Sequence, residues 1–228
     1  MEKGKLIVIE GACDSVGKST QSEYLIKRLE KDGKRVFNHH FPTYDENGIA
    51  VDPEVRKLLD KDDPAYKNCT PYEANKVFAN DRKTIWEERF EPVFNNPDNY
   101  LLFDRYTTSS FIYQSSKMSN PEDIKRFIND VSHYEFDELG LPRPDLVIFL
   151  CPSYDLAMRL MAEREKDRSV KKDVFEADPE GMRRIYNNAL FVAEYLKWNM
   201  VKCDNDGEMR SREDIHEEIY RLVKKMDK

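Results

Sequence analysis

Five short runs of aliphatic and β-branched residues are spaced along the chain: "KLIVIEG" (5–11), "RVFNHHF" (35–41), "YLLFDRY" (100–106), "DLVIFLC" (145–151) and "NMVKCD" (199–204). Each is near-continuous in its apolar residues rather than alternating, the pattern of strands covered on both faces of a parallel sheet. The stretches between them have helical spacing. Residues 18–32 align Tyr24, Leu25 and Leu29, and residues 71–94 run from Pro71 through Val77, Phe78, Ile85, Phe90 and Val93. "NPEDIKRFIND" opens with Asn120 as N-cap and Pro121 in the first turn. "SYDLAMRLMAER", "RRIYNNALFVAEYLKW" and "REDIHEEIYRLVKKM" complete the set. Segment 42–70 reads as a loop holding one short helix near 53–60. Strands alternating with helices predict a doubly wound α/β sheet in one domain spanning 1–228.

The first run leads into "EGACDSVGKST" (10–20), which approaches the pattern G-x-x-x-x-G-K-[ST]. Counting back from Gly17, the expected first glycine falls on Ala12, while Gly11 stands one place earlier. Such a loop works by pointing backbone N–H groups at an anion beside a helix N-terminus. Lys18, Ser19 and the segment from Asp14 keep their proper mutual distances, so the surplus residue belongs to the strand side. A second carboxyl-terminal strand end carries Asp104, in "LLFD", where a carboxylate can hold Mg²⁺ through water. Ligands of open α/β sheets gather at such ends, so positions 11 and 104 are expected to face one crevice.

The 228 residues carry 44 acidic and 37 basic side chains, a net charge of −7, which disfavours nucleic acid and anionic membranes as general partners. No apolar stretch approaches the roughly 20 residues of a spanning helix. "MEKGK" is followed by no secretory apolar region. Four cysteines (Cys13, Cys69, Cys151, Cys203) form no CxxC pair and no zinc spacing with the histidines, so free thiols and a cytoplasmic location are expected. No His–Asp or Cys–His signature of a hydrolase is apparent. "EKDRSVKKDVFEADPE" (165–180) lacks an apolar stripe and reads either as a solvated loop or as a mobile lid.

In order and spacing, several motifs resemble the thymidylate kinases of the nucleoside-monophosphate kinase group. They are "EG…D-x-x-GKSTQ" (10–21), "FP" with a following glycine (41–48), "F-x-x-x-R" (78–82), "DRY…SS…YQ" (104–114) and "R-x-x-x-x-R-x-x-x-R" (159–168). The resemblance implies a three-layer sandwich with a five-stranded parallel sheet in the order 2-3-1-4-5 and a lid near 164–180. It also implies a homodimer and the reaction ATP plus dTMP to ADP plus dTDP, assisted by Mg²⁺.

Carried over to this chain, Gly11, Asp14, Ser15, Val16, Gly17, Lys18, Ser19 and Thr20 surround ATP, with Lys18 on its phosphates and Ser19 and Asp104 toward the metal. Asp14 approaches the acceptor sugar or its metal, or is simply a turn residue. Arg105 binds the acceptor phosphate. Phe41, Phe78, Arg82, Ser110 and Tyr113 belong to the acceptor side. There Phe78 stacks on the base, Arg82 reads its carbonyl, and Tyr113 crowds C2′. Arg164 and Arg168 close over ATP, with Arg159, Lys171 and Lys172 as alternative cations, since position 15 is Ser.

Two departures stand out. Thr43 and Tyr44 follow Phe41-Pro42 where relatives often carry an arginine, and Ser110 occupies a base-reading position. Three rival readings therefore stay open. They are a kinase for another nucleotide or nucleoside, a non-catalytic nucleotide-binding protein, and a GTPase switch, which would need an N-K-x-D motif not found here.

Overall fold

The structure is a computed structural model that describes residues 3–60, 62–64, 68–167 and 179–227, without the side chains of 164–167 and 179. β1 (Lys5–Gly11), β2 (Arg35–His40), β3 (Asn99–Asp104), β4 (Leu146–Cys151) and β5 (Asn199–Lys202) form one parallel sheet in the order β2-β3-β1-β4-β5, the expected arrangement. Burial follows position in the sheet. β3 is buried throughout, and β1 nearly so. The edge strands β2 and β5 are largely half-exposed or exposed, so the expectation of burial on both faces is corrected for these two.

Helices occupy both faces. α1 (Lys18–Lys31) packs with the last helix, α8 (Arg212–Met226), where Ile7 and Ile9 of β1 meet Leu25, Leu29, Ile215 and Ile219. The opposite face of β1 presents Leu6 and Val8 to Phe90, Phe94, Leu101 and Phe103. Between β2 and β3 lie α2 (Pro53–Leu59) and α3 (Pro71–Ile85). α3 is prolonged by a π-turn at Trp86–Phe90 and the short helical segment Glu91–Phe94. Thr70 starts α3 with a complete capping box to Glu73. The buried residues of α3 include Asn75, Ala79, Asp81 and Arg82. The apolar stripe read from the sequence is only half-buried at Val77, Phe78 and Ile85.

After β3 comes α4 (Thr107–Tyr113), a helix the periodicity did not indicate, because nearly every residue in it is buried. α5 (Pro121–Ser132) begins at Asn120 as expected and ends in a π-turn, His133–Glu138. α6 (Tyr154–Asp167) and α7 (Pro179–Tyr195) flank the segment expected to form a lid. Residues 168–178, with Arg168, Lys171 and Lys172, lie outside the described residues, as does the side chain of Arg164. A small antiparallel hairpin, β6 (Asp204–Asn205) with β7 (Glu208–Met209), turns at Asp206-Gly207. Both turn residues have positive φ, the Asp-Gly hairpin signal. All four cysteines are free.

Candidate active site

The surplus loop residue is absorbed by a longer strand. Gly11 still pairs with Leu150 of β4, and the Ala12 N–H donates to the Leu150 carbonyl at 3.2 Å. Ala12, Cys13 and Val16 are buried, packing the strand side of the loop into the core. A Cβ on Gly11 would lie 2.6 Å from Val16 Cγ2, so this close approach needs glycine. Ser15 and Gly17 then adopt left-handed φ values of 64° and 93°, and α1 begins without a capping side chain or an acidic residue in its first turn. Its orphan N–H donors and positive dipole end are therefore left for an anion.

Lys18 is only 6% exposed. Its Nζ donates to the Cys13 carbonyl and to Asp14 Oδ1, each at 3.3 Å. The Arg105 guanidinium pairs with that same Asp14 oxygen and lies 5.1 Å from the centre of the Tyr113 ring. Burial opposes the charge on Arg105, but Asp14 beside it holds the guanidinium well above its ordinary pKa. The residue has φ 68°, an unusual conformation for a side chain of this size, while its N–H donates to the Ile9 carbonyl at 3.1 Å. Lys18, Asp14, Arg105 and Tyr113 thus converge where β1 and β3 end.

Asp104 ends β3 in register with His40 of β2, and His40 Nδ1 stands 3.3 Å from Asp104 Oδ2. The strand pairing creates a His–Asp contact that sequence spacing did not reveal. Among the described residues, no hydroxyl or thiol hydrogen-bonds to His40. Burial pushes the Asp104 carboxyl upward, but the hydrogen bond with His40 and the charges of Lys18 and Arg105 outweigh it and leave the carboxyl below its usual range. Its other oxygen, Oδ1, is buried without a partner among the described residues. Burial also pushes the loop thiol, Cys13, up to about 12, which keeps it protonated and poorly nucleophilic. No group of three or more His, Cys, Asp or Glu residues able to hold a metal occurs among the described residues. Mg²⁺ is commonly held by one or two carboxylates together with water and substrate phosphates. The unpartnered Asp104 oxygen suits that mode.

Most of the residues expected on the acceptor side stand on α3 and α4, beside the π-turn that ends α5. Arg82 is buried against Glu135, with Nη2–Oε1 2.5 Å and Nε–Oε2 2.8 Å, and its Nη2 reaches Ser110 Oγ at 3.2 Å. Thr43, standing where relatives often place an arginine, donates its N–H to Asp81 Oδ2 at 3.1 Å, after a cis Phe41–Pro42 bond. Phe41 is 2% exposed and packs against Phe103, Tyr106 and His39. Phe78 is half-buried on α3, Ser19 is exposed at the helix start, and Thr20 is half-buried.

Sequence reading did not single out four residues that the structure pairs within this region: Glu10, His40, Thr107 and Glu135. Glu10 is wholly buried and accepts from Thr108 Oγ1 at 2.9 Å and Ser109 Oγ at 2.6 Å, tying the loop strand to α4. Glu135 did leave a signal. It continues the buried stripe Ile124, Phe127, Ile128 and Val131 four residues on, and a carboxylate on an apolar stripe calls for a partner.

Comparison with known proteins agrees with this geometry. A family model described as thymidylate kinase matches residues 9–219. The chain is 32% identical over 219 residues to a probable thymidylate kinase of Methanosphaera stadtmanae, covering 96% of this chain and 98% of the relative. It is 31% identical over 225 residues to the thymidylate kinase of Halothermothrix orenii, covering 97% of each. Among solved structures, a thymidylate kinase from Candida albicans superposes with a TM-score of 0.65 at 18% identity, covering 98% of this chain and 92% of that one, a likeness of fold. With a phosphate loop at the end of β1, Asp104-Arg105 at the end of β3 and the family match running from one to the other and beyond, the chain belongs to the thymidylate kinase family, phosphotransferases that convert dTMP to dTDP.

Proposed function

We propose that this chain transfers the γ-phosphoryl group of ATP to dTMP, with Lys18 on the donor side and Arg105 on the acceptor side of one crevice. The observation that carries the reading is the convergence of both cations on a single oxygen of Asp14. Two positive groups that share one carboxylate oxygen in the free protein are spaced to receive neighbouring phosphate groups. Binding exchanges the Asp14 oxygen for substrate oxygens and frees that carboxylate for the acceptor sugar.

The acceptor phosphate, with a second pKa near 6, is largely dianionic at pH 7, so its attacking oxygen needs no general base. The protein's task is positioning and neutralisation of charge. The uncapped start of α1 supplies N–H donors to the donor phosphates, and buried Lys18 supplies a full charge there. Arg105, kept charged by its carboxylate neighbours, orients the acceptor. Tyr113 backs the Arg105 guanidinium and faces the sugar. Asp104, through its unpartnered oxygen, and the Ser19 hydroxyl would hold Mg²⁺. When bound, that ion neutralises charge on the donor phosphates.

Arg164 and Arg168 are assigned to the lid on resemblance alone. The same resemblance supports a homodimer, the unpaired cysteines favour a cytoplasmic location, and the charge of −7 argues against nucleic acid or membrane as partners.

A coupled assay of ADP release across dTMP, dUMP, dCMP, UMP and thymidine tests the reading. The expected result is turnover that depends on dTMP above the others. ATP turnover with no deoxynucleoside monophosphate accepted overturns it.

A further inference from the structure

We infer that Glu135 is a positioning residue for acceptor-base recognition, acting through Arg82 to favour a pyrimidine with a carbonyl at C4. This rests on the reading of Arg82 as the base-facing arginine. Arg82 and Glu135 are 3% and 0% exposed, and their contact is side-on and bidentate through Nε and Nη2, the geometry that fixes a guanidinium plane. Glu135 is itself held from a second helix: its Oε2 accepts from Thr107 Oγ1 at 2.6 Å. Arg82 Nη2 also approaches Ser110 Oγ at 3.2 Å and Asn75 Oδ1 at 3.5 Å.

A guanidinium carries five N–H donors. Those on Nε and Nη2 are directed at Glu135, Ser110 and Asn75, and no described residue accepts from Nη1. What Arg82 has left to offer is a rigid pair of donors with no acceptor among them. Such a group pairs with the C4 oxygen of thymine or uracil and meets the C4 amino group of cytosine donor to donor. The Glu135 charge also balances that of Arg82, so this guanidinium is not a spare cation that would draw a phosphate into the wrong place.

Stability alone is a weak reason for the pair. A buried ion pair is often no more stabilising than apolar side chains of similar volume, and Glu135 stands at the end of a stripe that is otherwise apolar. Its return is therefore sought in specificity.

The test is steady-state kinetics of the full chain with dTMP and with dCMP, comparing wild type, Glu135→Gln, Thr107→Val and Arg82→Lys. Glu135→Gln should raise KM for dTMP about tenfold and leave KM for ATP within about twofold. It should also shrink the dTMP-to-dCMP ratio of kcat/KM by about tenfold. That ratio does not depend on how much of the enzyme is folded. Thr107→Val keeps both charges, should lower the ratio by about threefold, and carries the test if Glu135→Gln does not fold. An unchanged ratio in Thr107→Val then overturns the proposal. An unchanged ratio in Glu135→Gln beside a lowered one in Arg82→Lys overturns the role of Glu135. An unchanged ratio in Arg82→Lys removes the reading of Arg82 beneath it. Equal rises in KM for ATP and dTMP with the ratio intact mark Glu135 as merely structural and also overturn the proposal.

Discussion

His39 sits at the end of β2, one residue before the histidine that meets Asp104, with its ring against Phe41 and Phe90 and its Nε2 3.0 Å from Thr43 Oγ1. Burial, then the charges of Arg89 and His40, lower its pKa from 6.5 to about 4. Between those two values the unfolded chain binds a proton that the folded chain refuses. The contribution of His39 to stability is therefore complete above 6.5 and is lost as pH falls toward 4. Melting temperatures measured from about pH 7 to about pH 4.5 should fall less steeply in His39→Gln than in wild type. Equal slopes would show that this imidazole does not resist protonation. The same residue scale explains the irregular loop, because a glycine that leaves room for Val16 lets the extra residue be packed as strand rather than bulge into the crevice.

At the scale of elements, α3 carries Phe78, Asp81 and Arg82, so its start decides where these side chains stand. That start is fixed by Thr70: its hydroxyl accepts from the Glu73 N–H at 3.2 Å, while Glu73 Oε2 accepts from the Thr70 N–H at 2.9 Å. Thr70→Ala removes half of this reciprocal cap and should lower unfolding stability by about 1 kcal/mol, read from a urea titration as a lower midpoint with an unchanged slope. A variant with the wild-type midpoint would mean that tertiary packing alone holds the helix start. The segments after β3 and α5 teach a complementary lesson. α4 escaped a periodicity search because a helix buried on nearly all sides has no polar face to mark it. The start of α5 was announced by Asn120 and Pro121, whereas the π-turns that end α5 and α3 have no comparable residue signature.

For the whole molecule, the site depends on charges from distant parts of the chain meeting against a net negative background. Nucleotide that binds only the folded state must raise its stability, by about 2.7 kcal/mol at a hundred times Kd, a shift of several degrees for a domain of this size. ATP and dTMP should each raise the melting temperature separately. Lys18→Ala should abolish most of the ATP shift while keeping the dTMP shift. Loss of both in that variant would mean that Lys18 holds the fold rather than the donor.

Local chemistry along the chain was enough to announce the alternation of strands and helices, the Pro71 start of α3, the cap of α5, and the phosphate loop. Those features are written in neighbouring residues: continuous apolar runs, an Asn-Pro start and a proline start, and glycine beside lysine. The order of the strands and the residues expected on the acceptor side came from ordered motifs shared with a family. The partners of those residues came from neither source. His40 meets Asp104 because β2 and β3 run parallel in one particular register, and Glu135 meets Arg82 because two helices separated by a strand close over a third. Such pairings join residues dozens of positions apart, and only chain packing determines which buried charge faces which.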